Sequence, residues 1–177
     1  MTVFRLSIIS VLAIGVIATE KQRKNSIQEC RPGSSCYKFI DKEDIWTSAV
    51  QYCELRDWQL VEIEDFDELL FLQGKILGHF GKHADQVIEF WTAGYYNRTL
   101  RDWMWYRSHQ RIQFISLRNG VKVSMWALPE PNSRNTEDCI GLFNREDYYM
   151  NDDDCFIKRF FICEVKVGGH MGEHIVG

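Results

Sequence analysis

The sequence predicts an α+β domain, and three observations carry the prediction. Two amphipathic helical patterns come early, within residues 44–78. The second half lacks long helical periods and carries short runs rich in aromatic and β-branched residues. Six cysteines, an even number, are spread over both halves. At 177 residues the chain is long enough for one domain with a full core and short for two. Its 6 Trp, 7 Tyr and 11 Phe can fill that core, and no repeat points to a solenoid.

Residues 1–18 read as a secretory signal peptide. Arg5 precedes an apolar run from Leu6 to Ile17, and small or short side chains at Val16 and Ala18 suit cleavage after Ala18. The run is short for a membrane span, which makes a signal anchor the weaker alternative, and no later stretch could cross a bilayer. The chain is therefore expected to be secreted and extracellular. Cleavage removes one base and no acid, leaving 20 Lys and Arg against 25 Asp and Glu. A mildly acidic chain argues against nucleic acid as a partner. In an oxidising compartment six cysteines are most simply three disulfides, although about fifteen pairings are open on spacing alone. Irregular spacing without a Cys-x-x-Cys disfavours zinc.

Residues 19–29 are polar and aperiodic, a short N-terminal leader. A Pro32-Gly33 turn between Cys30 and Cys36 suits a local bridge across a hairpin, and Tyr37-Lys38-Phe39 alternates like a strand. Asp44 is a candidate N-cap for a helix whose apolar stripe is Trp46, Ala49, Val50 and Cys53. A second helix starts at Asp65 and Glu68, spaced as in a capping box. It turns Phe66, Leu69, Leu70, Ile76 and Leu77 inward and is expected to stop at Gly78. Strands are predicted over 89–93, 103–106, 140–143 and 160–165. The stretch between Ile112 and Cys155 is poor in regular pattern, as functional loops often are. Residues 166–177 form a Gly- and His-containing tail expected to be flexible.

Two runs in that long region collect oxygen donors: Glu130-Pro131-Asn132, then Glu137 before Cys139, and Asn151-Asp152 before Cys155. None is a soft ligand. Ca2+ takes about six to eight oxygens in irregular geometry, so the set points to a calcium site. An EF-hand is excluded, because the stretch from Asp147 to Asp154 lacks the central Gly and closing Glu. The His79/His83 and His170/His174 pairs are read as surface histidines, since neither lies in a zincin-like frame. The aromatic run Trp103-Met104-Trp105-Tyr106 is read as a core strand rather than a base-stacking surface. Asn97-Arg98-Thr99 is a glycosylation sequon after a strand. With no nucleophile elbow, phosphate loop or zincin helix, no enzyme is expected.

Taken in order, the two helices, Phe90-Trp91-Thr92-Ala93-Gly94, Glu130-Pro131-Asn132, Asn151-Asp152 and the late cysteines resemble a C-type lectin domain of the long form. The resemblance covers residues 30–165. It implies a C-type lectin-like fold, with two helices on antiparallel sheets, a long calcium-binding loop region and three stabilising bridges: Cys53 with Cys163, Cys139 with Cys155, Cys30 with Cys36. It also implies a cis Glu130-Pro131 bond and calcium held by Glu130, Asn132, Glu137, Asn151 and Asp152. One calcium is implied rather than two, because Ser133, Asn97 and Arg101 fall where an auxiliary site would need acids. Met150 stands where the family usually carries Trp.

A bound calcium with open coordination accepts two vicinal hydroxyls. Each hydroxyl can also donate to a carboxylate and accept from an amide. Glu130 with Asn132, and Glu137 with Asn151, form the two acid–amide pairs implied to bind carbohydrate, and Glu-Pro-Asn implies mannose, fucose or N-acetylglucosamine types. Glycans and glycoproteins of the mannose type are thus the implied partners, with innate immune recognition as the implied role. A shallow site binds weakly and gains from multivalency, for which a homo-oligomer built through surface patches is one route. The competing reading is a calcium-independent module of the same fold that binds protein or ice surfaces.

Overall fold

The computed structural model describes residues 26–81, 88–132 and 136–167. The signal peptide, His83, Ser133, His170, His174 and the tail beyond Val167 fall outside them, whereas Lys166, expected in the tail, belongs to the last strand. The chain opens with β1 (Ser26–Cys30) and β2 (Ser35–Asp44), an antiparallel hairpin closed by a Cys30–Cys36 disulfide. Ser26 to Glu29, assigned from sequence to the leader, thus belong to a strand: β1 has no apolar alternation and is held by pairing with β2.

Helix α1 (Trp46–Glu54) buries Trp46, Ala49, Val50 and Cys53, the stripe expected from the spacing. Asp44 is not its cap. That residue ends β2, and the first helical N–H, on Trp46, donates instead to the Cys155 carbonyl at 3.0 Å. A two-residue strand β3 (Gln59–Leu60) leads to helix α2 (Phe66–Phe80), where Asp65 caps by accepting from the Glu68 N–H at 2.7 Å. Glu68 returns the bond to Glu64, one residue earlier than a capping box requires. Leu69 and Ile76 face the core together with Leu72, whereas Leu70 and Leu77 are only partly buried. The helix runs past Gly78 and ends at Gly81, whose φ of 70° is the conformation that glycine adopts without strain.

The strands that follow are β4 (Glu89–Asn97), β5 (Asp102–Trp105), β6 (Ile115–Arg118), β7 (Val121–Ser124), β8 (Cys139–Phe143), β9 (Tyr149–Asp153) and β10 (Arg159–Lys166). The main sheet has the order β1-β2-β10-β4-β8-β9, with β3 on β10 and β5 on β4. Every pairing is antiparallel except β10 with β4, which is parallel. Cys53–Cys163 ties α1 to β10, and Cys139–Cys155 ties β8 to the segment after β9. These are the three bridges implied by the resemblance.

The region between Ile112 and Cys155 is more regular than its composition suggested. The β6–β7 hairpin turns on Asn119 and Gly120, both at positive φ, 49° and 79°. Asn-Gly is a strong two-residue turn signal, and Ile115, Leu117, Val121 and Val123 alternate with polar residues on either side of it, so the hairpin was legible in the sequence although Ile115, Leu117 and Val121 stay exposed. Gly94 is required by close approach: a Cβ there would lie 2.6 Å from Ile140 Cδ1. Among the described residues no helix is long and apolar enough to cross a membrane.

Candidate functional site

The candidate ligands sit on two segments brought together by backbone ladders. Trp126 is 9 % exposed and packs between Trp103 and Phe114, with ring centroids at 5.2 and 4.5 Å. From that anchor the chain runs alongside β9. The Met150 N–H donates to the Met125 carbonyl at 2.9 Å, and the Ala127 N–H donates to the Met150 carbonyl at 2.9 Å. Met150 is fully buried. Its thioether belongs to the core beneath the site, so replacing the family's Trp changes packing there.

Beyond Ala127 the chain turns through two cis prolyl bonds, Leu128-Pro129 and Glu130-Pro131. The second is the one implied by the resemblance. The Glu130 N–H donates to the Ala127 carbonyl at 2.9 Å and closes this turn. The Asn132 amide then donates to Glu130 Oε1 at 2.8 Å, and its backbone N–H donates to Asp152 Oδ1 at 3.2 Å. Asn151 in β9 lies opposite Gly141 of β8, and its side-chain amide donates to the Asp152 carbonyl at 2.9 Å. Glu130, Asn132, Asn151 and Asp152 are thereby joined in one chain of hydrogen bonds. Glu137 lies two residues before β8 and its Cys139 bridge.

The donor set fits a hard cation. It offers three carboxylates and two amides and contains neither nitrogen nor sulfur ligands. Both amides use their nitrogen within the protein, which leaves the oxygen end as the one chemically suited to a metal. Asp152 is 1 % exposed, and its carboxylate already accepts from the Asn132 N–H. Among the described residues no three acids, histidines or cysteines already converge as a metal-ready group. The set as it stands is closed on its own amides.

Neighbouring acids have other partners. Asp153 accepts from Arg159 at 2.6 Å, and Arg159 also lies 2.8 Å from Glu89 Oε2, close enough to pair ionically although the angle makes no hydrogen bond. Burial raises the Glu89 carboxyl above its ordinary range, and the Arg159 charge opposes that shift. Asp154 accepts from the Phe156 N–H at 2.9 Å. Asp138, next to Glu137, pairs with Arg98 at 2.7 Å. His79 pairs with Glu29 at 2.6 Å, and Trp103 and Trp105 are buried in the core. Sequence reasoning missed Arg98 and Arg159, because isolated arginines carry no spacing signal and find their acids only through folding.

Residues 42–165 match the model of the lectin C-type domain family. Killer cell lectin-like receptor 6 of Mus musculus is 26% identical over 114 residues, which is 60% of this chain and 40% of that protein. The chain thus spans well under two thirds of that receptor. A perlucin-like protein of Mytilus galloprovincialis is 24% identical over 131 residues, covering 73% of this chain and 76% of its own. Among solved structures, the Ca2+-independent C-type lectin SPL-2 from Saxidomus purpuratus superposes with a TM-score of 0.59 at 26% identity, covering 77% of this chain and 93% of that one.

Proposed function

The chain belongs to the C-type lectin domain family, and on that footing we propose that it is a secreted, calcium-dependent carbohydrate-binding module for glycans of the mannose, fucose and N-acetylglucosamine type, holding one Ca2+. The observation that carries the proposal is the 2.8 Å hydrogen bond from the Asn132 amide to Glu130 Oε1. Acceptor and donor stand side by side on the turn. A sugar hydroxyl can take the place of that bond, accepting from the amide and donating to the carboxylate. Calcium, when bound, supplies the charge that the three carboxylates require and coordinates the vicinal diol. Glu130 with Asn132 and Glu137 with Asn151 would form the two acid–amide pairs that orient the sugar, and Asp152 would add a further calcium ligand. Recognition of microbial or host glycans in innate defence follows as the role, and multivalency through copies of the chain would offset a weak single site.

A second reading is favoured by one specific observation. A calcium-independent lectin shares the fold at 26% identity, and here the amides already close on the acids. One experiment separates the two. On mannan resin the protein should be retained in calcium and released by a chelator, whereas retention that ignores the chelator supports the metal-free module. The double change Glu130→Gln, Asn132→Asp reverses the order of acceptor and donor. It should shift preference from mannose toward galactose, and an unchanged preference would place sugar choice elsewhere.

A further inference from the structure

The tip of the β4–β5 hairpin bears a group that sugar coordination leaves unused. Strand pairing ends at Asn97 opposite Asp102, and Arg98, Thr99 and Leu100 are exposed. The Asn97 side-chain oxygen accepts from the N–H groups of both Thr99 and Leu100 at 3.0 Å. That pins the oxygen end into the turn. The Nδ2 end has one long contact, 3.4 Å to the Tyr95 hydroxyl. Asn97-Arg98-Thr99 satisfies the Asn-x-Thr rule with no proline.

The place of this tip gives the sequon its interest. Both residues flanking Asn97 are fastened to Asp138: the Tyr96 N–H donates to its carbonyl at 2.8 Å, and Arg98 Nε pairs with its carboxylate at 2.7 Å. Asp138 follows the candidate ligand Glu137 directly. We propose that Asn97 carries an N-linked glycan that stands on the border of the Glu137 side of the site and narrows solvent access to it. The donor is a lipid-linked diphospho-oligosaccharide of the secretory pathway. Asn97 Nδ2 attacks its anomeric carbon, a C–N bond forms, and the C–O bond to the diphosphate breaks. The lipid diphosphate leaves, and one amide proton passes to a base of the transferring enzyme. Three disulfides suit the compartment in which that transfer occurs.

The test uses the whole chain, isotopically labelled and expressed in a eukaryotic host that adds oligomannose glycans, beside Thr99→Ala, which removes the sequon and keeps Asn97 and Arg98. Endoglycosidase should cut the wild-type mass to polypeptide plus one N-acetylglucosamine at Asn97 and leave Thr99→Ala unchanged. A wild-type mass equal to bare polypeptide overturns the assignment. A soluble paramagnetic agent then reads access: the Glu137 and Asp138 amide signals should broaden several-fold less before trimming than after it. Equal broadening in the two forms overturns the border position. Neither readout needs sugar or calcium, so failure of mannoside binding would count against the proposed function and leave this assignment standing.

Discussion

Asn132 and Asp152, twenty residues apart, are joined by a backbone N–H donated to a carboxylate oxygen at 3.2 Å, and this bond fastens the prolyl turn to β9. It makes Asp152 both a structural acceptor and a candidate ligand, and substitution can separate the two. Asn at position 152 keeps an acceptor oxygen and loses the charge. Calcium at about a hundred times its dissociation constant should stabilise the wild type by about 2.7 kcal/mol. Asp152→Asn should lose most of that gain while melting within a few degrees of wild type in chelator. Identical calcium shifts in the two proteins would remove Asp152 from the metal site.

Arg159 neutralises two buried acids, Asp153 and Glu89, and is itself 18 % exposed. Replacing it by Met removes the counter-charge that the two carboxylates share. The expected loss is on the order of 3 to 5 kcal/mol in denaturant unfolding. Arg98→Met breaks a pair whose arginine is 56 % exposed and should cost under about 1 kcal/mol. Similar losses would mean that burial does not set the value of these pairs.

The disulfides close loops of very different length. Cys53 and Cys163 are 110 residues apart, and Cys30 and Cys36 only 6. Chain entropy then predicts about 5 kcal/mol lost when the first is replaced by an Ala pair and about 2 kcal/mol for the second. Guanidinium titration of the two double variants checks the order.

Glu68 is 3 % exposed, and burial pushes its carboxyl up to about 7, against the pull of the bonds it accepts from the Tyr37 hydroxyl at 2.6 Å and the Glu64 N–H. The folded state therefore holds this proton more tightly than the unfolded chain, whose carboxyl titrates near 4.5. The stabilisation is fully present below that value and is lost as pH rises to about 7, on the order of 3 kcal/mol across the window. Burial raises Glu164 and Glu89 in the same direction. Unfolding free energy measured from pH 4.5 to 7.5 should carry this falling component, and Glu68→Gln should flatten it. An unaltered pH slope in the variant would show that Glu68 does not titrate there.

The sequence by itself determined the class, both helices, four strand cores and the two runs of oxygen donors, because these depend on local periodicity and on the chemistry of single residues. Trp46, Ala49, Val50 and Cys53 announce a buried stripe without reference to anything else in the chain. The family resemblance added the disulfide partners and the cis bond at Pro131, which spacing left open. Only the tertiary structure decided which residues do what. It made Asp44 a strand end rather than a helix cap, paired Met150 with Trp126 in a parallel bridge, and gave Arg159 to Asp153 and Arg98 to Asp138. It also set Asn97 beside the segment that carries Glu137. Most of these depend on contact between separate elements, such as Trp126 with Met150 and Arg98 with Asp138. Such contacts are fixed by packing and charge neutralisation in three dimensions, and no local pattern of residues encodes them.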